Sequence, residues 1–140
     1  MPRVCVVDTN VVVSGLIVAG SSSPPARILD AMLDGSLMYL MSPELLEEYA
    51  SVLGRPALVR VHGLTPEEVD VLLTELVANA VWRQPDAATG APDPGDNHLW
   101  ALLAGEPKAK LVTGDRLLLE NPPHGVSVVS PRHLVDAFLH

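Results

Sequence analysis

The sequence predicts an α/β fold, a three-layer α/β/α sandwich around a central parallel sheet. Short apolar runs such as VCVVD (residues 4–8) and KLVTGD (110–115) read as strands that end in an acid, and stretches with helical spacing of apolar residues separate them. Three of those stretches open on a Ser or Thr followed by proline, at Ser42–Pro43, Thr65–Pro66 and Ser130–Pro131. Strands alternating with helices imply parallel βαβ units.

VCVVD is a continuous, largely β-branched run, as expected of a strand buried on both faces, and it sets Asp8 at its carboxyl end. The loop GSSSPP (20–25) leads into ARILDAML, where Ile28, Leu29, Met32 and Leu33 recur at helical spacing, and LMYLM (37–41) is a short strand. Ser42 caps a helix whose face carries Leu45, Leu46, Tyr49, Val52 and Leu53, running to about Leu53. Thr65, Pro66 and Glu68 form a capping box for the helix of Val69, Leu72, Leu73, Leu76 and Val77. QPDAATGAPDPG (84–95) is a Pro/Gly-rich loop, and NHLWALLAG is a short helix that stops at Gly105 and Pro107. After the KLVTGD strand, VSVV (126–129) is the last strand and SPRHLVDAFL the closing helix. With no internal repeat, low-complexity tract or linker, a single domain over residues 1–140 is expected.

Composition agrees. Apolar residues make up 48% of the chain, which excludes a disordered polymer, and aromatics only 4%, so Val, Leu and Ala must build the core. The single cysteine, Cys5, lies in an apolar run and rules out a disulfide framework or a Cys-based zinc site. The absence of a disulfide framework, of a long apolar span and of a basic leader ahead of the first strand predicts a soluble cytoplasmic protein. A net charge of −8 argues against nonspecific affinity for a polyanion. A nucleic-acid substrate would need cations to offset this field.

In a parallel sheet, ligands bind beyond the carboxyl ends of the strands. Asp8 and Asp115 stand just past two strand ends, and Asp96, at the start of a helix that returns antiparallel to the strands, faces the same edge. Among Glu44, Glu47 and Glu48, winding at 3.6 residues per turn places Glu47 nearly opposite the apolar face, Glu44 well away, and Glu48 at its border. Glu48 is therefore the acid able to reach inward. Four convergent carboxylates repel at neutral pH, and a hard divalent cation, Mg2+ or Mn2+, resolves that repulsion. Such a site can activate water for an in-line phosphoryl displacement without a side-chain nucleophile. Removing one charge, as in Asp8→Asn, is expected to leave the metal-free fold as stable or more so.

VDTNVVVSGL, SPELLEEYASVLGRP, DPGDNHLWALL and LVTGDRLLL, in that order, resemble the PIN-domain family, and within it the VapC-like ribonucleases grouped with toxins of prokaryotic toxin–antitoxin pairs. The resemblance implies that Asp8, Glu48, Asp96 and Asp115 bind Mg2+ or Mn2+, with Thr9, Asn10, Asp93 and Thr113 in support, and that water attacks an RNA phosphodiester. It also implies a possible cognate antitoxin. Two positions depart from the family's frequent pattern: Leu117 and Gly95 stand where acids are common.

Other readings remain open at this stage. Asp93 and Asp96 could serve only as caps, and Thr9 and Asn10 as turn residues. His62, His98, His124, His133 and His140 lack ligand spacing and read as loop or solvent-facing residues. Trp82 and Trp100 read as core or interface residues, with base stacking a second role for Trp100. Of the scattered Arg27, Arg55, Arg83 and Arg116, Arg116 is the favoured phosphate contact, because it follows Asp115. An aspartate-nucleophile phosphatase is a rival, although its usual second acid is Asn10 here, and a noncatalytic module binding RNA or protein is another. The apolar surplus, mean hydropathy +0.27, points to a homodimer or an antitoxin-covered helix.

Overall fold

The computed structural model describes residues 4–139. The Met1 lead-in and His140 lie outside them. In chain order the elements are β1 (Val4–Val7), α1 (Thr9–Ile17), α2 (Pro24–Asp34), β2 (Met38–Met41), α3 (Pro43–Leu53), α4 (Pro56–His62), α5 (Pro66–Asn79) and β3 (Val81–Trp82). A 3-10 turn (Pro94–Asp96) then leads into α6 (Asn97–Gly105), β4 (Lys110–Val112), α7 (Arg116–Glu120), β5 (Val128–Val129) and α8 (Pro131–Phe138).

All strand pairs are parallel, in the order β3-β2-β1-β4-β5. The chain moves outward from β1 to β3, crosses to β4, then moves outward the other way. Right-handed crossovers therefore put the helices of the two halves on opposite faces, giving the three-layer α/β/α sandwich. The direction reverses between β1 and β4, and the crevice opens beyond their carboxyl ends. Asp8 directly follows β1, and Thr113 directly follows β4.

Burial explains why these short strands hold. Cys5, Val6 and Val7 of β1 and Leu111 and Val112 of β4 are all 0% exposed. Leu45, Tyr49 and Leu53 anchor α3 in the same core, each buried leucine contributing about 1.5–3 kcal/mol. The Tyr49 hydroxyl donates to the Val7 carbonyl, and the Tyr39 hydroxyl to that of Leu76 at 2.5 Å, so both buried phenols are satisfied. Cys5 is enclosed, and burial pushes its thiol up to about 12.

The anticipated caps form: Ser42 accepts from the Leu45 N–H, Ser130 from the His133 N–H, and Thr65 with Glu68 makes both bonds of the capping box. Four elements were not anticipated. TNVVVSGLI forms α1 despite its three β-branched valines, because Asp8 caps its start and Val11, Val12 and Val13 are buried. The helix also lies close to α2: a methyl on Gly15 would sit 2.5 Å from the Pro25 carbonyl oxygen. The short α4 has no buried residue, α7 spans five residues and β3 two, too few for a periodic signal. α2 starts at Pro24, inside the expected loop, with Ser23 as its N-cap and proline in its first turn.

Candidate functional site

An open cleft of about 780 Å³ lies at the carboxyl ends of β1 and β4, lined by Asp8, Glu48, Asp96 and Asp115 together with Glu44, Glu47 and Asp93. Asp8 is buried, Glu48, Asp96 and Asp115 are half-buried, and the other three are exposed. The residues come from separate segments: the end of β1, α3, the turn before α6, and the loop after β4.

On the strand side the acids are set in hydrogen bonds. Asp8 Oδ1 accepts from the Thr9 N–H at 2.8 Å. Its Oδ2 accepts from Thr113 Oγ1 at 2.8 Å and from Asn10 Nδ2 at 3.0 Å. Thr113, fully buried, also accepts from Asn10 Nδ2 at 3.2 Å and from the Asp115 N–H at 3.0 Å, while Asn10 Oδ1 accepts from the Gly114 N–H at 3.0 Å. Asp115 Oδ1 in turn accepts from the Leu117 N–H at 2.9 Å, capping α7. Burial raises the Asp8 carboxyl; the Thr113 and Thr9 hydrogen bonds oppose that rise, and the charges of Glu48 and Asp115 add to it.

The helix side differs. Glu48 Oε1 accepts from the Thr9 hydroxyl at 2.5 Å, and its Oε2 lies 2.9 Å from His98 Nε2. That histidine contact, chiefly, holds Glu48 below its ordinary value despite the opposing effect of burial. Burial alone would lower His98, but the hydrogen bond and charge of Glu48, with Asp96 and Asp8, raise it overall. Asp96 is raised to about 6, by burial first and then by Asp8, Glu48 and Asp93. Among the described residues no hydrogen bond to its carboxylate is made. Asp93 Oδ1 accepts from the Gly95 N–H at 2.9 Å and so shapes the turn that carries Asp96.

Ligand atoms of Glu48, Asp96 and His98 lie within 4.8 Å of one another. Two ligands on one small divalent ion, at about 2.1 Å each, stand at most about 4.2 Å apart, so small side-chain adjustments would close this group. The carboxylate oxygens of Glu48 and Asp96, with the nearby His98 nitrogen, form a donor set that such an ion could bind.

His98 corrects the loop or solvent-facing reading: its side chain is 12% exposed, and its meaning lies in a partner fifty residues away in sequence. Its Nδ1 is buried without a hydrogen-bond partner among the described residues. His62 is likewise half-buried, its Nδ1 accepting from the Leu64 N–H at 2.9 Å. Arg116 is 87% exposed, pairs with Glu120 at 3.5 Å and does not line the cleft. Arg55, one of the scattered arginines, does. Trp100 lines a separate hollow with Pro92, Pro122 and His124, and Trp82 is 39% exposed in β3.

No helix among the described residues is long and apolar enough to cross a membrane. Comparison with curated proteins finds no match. A family model described as a PIN domain matches residues 4–117, which contain the whole acidic cleft. The chain therefore belongs to the PIN domain family, whose members are generally nucleases that use a divalent metal.

Proposed function

We propose that the chain is a Mg2+- or Mn2+-dependent ribonuclease in which Asp8, Glu48, Asp96 and Asp115 hold the cation and Thr9, Asn10, Asp93 and Thr113 support them. The observation behind this reading is the gathering of four acids from separate segments around one cleft, with Asp96 raised to about 6 by burial and by the neighbouring acids. Bound, the cation would acidify the attacking water and offset charge on the phosphoryl oxygens.

The chain's own side chains orient these donors. Thr113 and Asn10 fix Asp8, while Thr9 and His98 hold one oxygen each of Glu48. Asp8 is a poor nucleophile when both its oxygens accept hydrogen bonds, and Asn10 stands where an aspartate-nucleophile phosphatase has its second acid. Water is the nucleophile that remains.

The finer reading is a VapC-like toxin of a toxin–antitoxin pair, one nuclease domain over residues 1–140, cytoplasmic, homodimeric and covered by an antitoxin. The order of the four motifs supports it, as do the exposed apolar side chains Val61 and Val71. Arg116 would be a peripheral phosphate contact. Sequencing RNA ends from a Mn2+-supplemented digestion tests the activity: defined ends appear with wild type and not with Asp8→Asn. Cleavage that survives exhaustive EDTA treatment overturns the metal reading, and a concentration-independent monomer mass in light scattering overturns the dimer.

A further inference from the structure

The cleft must admit a polyanion, yet its lining holds seven carboxylates and a single Lys or Arg, Arg55. Several other cationic side chains are engaged elsewhere: Arg27 donates to the Leu139 carbonyl, Arg83 pairs with Glu106 at 3.3 Å, Arg116 with Glu120 at 3.5 Å and Arg132 with Asp136 at 4.0 Å. Among the described residues the Arg55 guanidinium makes no hydrogen bond or ion pair.

The backbone holds Arg55 in place. Its N–H donates to the Val52 carbonyl at 3.1 Å, and its carbonyl accepts from the N–H groups of Leu58 and Val59 at 2.9 Å each. Arg55 follows the end of α3 at Leu53 as the N-cap of α4, and it lines the cleft beside Glu48, Ser51 and Val52 of α3. Arg55 thus lines the cleft from a different segment than the four acids proposed to hold the cation, which leaves it free to meet a phosphate next to the one undergoing hydrolysis.

We propose that Arg55 binds an RNA phosphate flanking the scissile one and so sets where the strand lies in the cleft, an inference that rests on the ribonuclease reading above. A guanidinium matches two phosphate oxygens at once, a geometry lysine does not reproduce. The side chain makes no capping bond to α4, so its replacement leaves that helix start intact.

The test compares Arg55→Ala, Arg55→Lys and wild type with Mn2+ on two substrates: a single-stranded RNA and bis(p-nitrophenyl) phosphate, which has one phosphodiester and no flanking phosphate. For RNA, Arg55→Ala raises KM at least about tenfold with kcat unchanged, as loss of a charge-assisted hydrogen bond requires. It also flattens the slope of log KM against log salt by about 0.7, one phosphate contact on a single strand. Arg55→Lys keeps the salt slope and recovers only part of KM. On the one-phosphate substrate all three proteins are alike, and the Mn2+-induced thermal shift is the same. An RNA KM for Arg55→Ala equal to wild type overturns the inference while leaving the ribonuclease reading intact, and so does an equal loss of kcat on both substrates. A wild type that neither binds nor cleaves RNA with Mn2+ overturns the reading and the inference together.

Discussion

Asp8, on the strand side of the cleft, accepts hydrogen bonds from Thr9, Asn10 and Thr113, whereas among the described residues Asp96, on the helix side, has no hydrogen bond to its carboxylate. Both carboxyls are raised by burial, but in Asp8 the donors oppose the rise and in Asp96 three neighbouring acids reinforce it. One acid is built into a network of donors; the other faces acids of its own sign, with only the charge of His98 opposing them. Equal formal charge therefore does not mean equal response to substitution, and the expectation that Asp8→Asn relieves repulsion at no cost needs revision. An amide at position 8 would turn its NH2 toward the Asn10 NH2 or lose the Thr9 bond.

The largest effect is expected at Asp8. Asp8→Asn loses all cleavage and also destabilises the metal-free protein by about 1–3 kcal/mol, the cost of leaving buried donors unpaired; urea unfolding in EDTA measures it. A variant as stable as wild type would show that the strand-side network is slack. Next comes the choice on α3: Glu48→Gln loses most activity, while Glu44→Gln and Glu47→Gln, at exposed positions, keep it. Steady-state rates on RNA decide this, and an inactive Glu47→Gln would show that the exposed acids of the cleft, rather than Glu48, hold the cation.

Asp96→Asn gives a smaller effect of opposite sign to Asp8→Asn. Because Asp96 titrates near 6 in the fold against an ordinary 3.8, its neutral form favours the native state. That contribution is complete below the ordinary value and is lost as pH rises through about 6. Asp96→Asn should then melt higher than wild type in EDTA at pH 7.5, and the gap should close toward pH 4. Parallel pH profiles of the two melting temperatures would remove the contrast with Asp8. The smallest effect is on architecture: EDTA should leave the far-ultraviolet circular dichroism unchanged, because the core around Val6, Leu45 and Leu111 does not involve the cleft.

Much of this was legible from local chemistry. Caps at Ser42, Thr65 and Ser130 and apolar periodicity located α3, α5 and α8, and strand runs ending in acid placed Asp8 and Asp115 at one edge. What escaped depended on distant partners. α1 is held by its contact with α2 at Gly15 and by burial of valines whose own preference is extended. His98 acquires its role from Glu48, and Arg55 from a cleft that no spacing along the chain reveals. Glu48 is half-buried where Glu44 and Glu47 are exposed, a difference that the neighbours on the same helix were enough to indicate.

Cys5, sealed within the central strand of the sheet with its thiol pushed up to about 12, makes the native protein silent to alkylating reagents. Since it is the sole cysteine, iodoacetamide uptake clocks the opening of the central strand itself. A cysteine introduced at an exposed rim position such as Glu47 could then be labelled selectively under native conditions, without first removing a competing thiol.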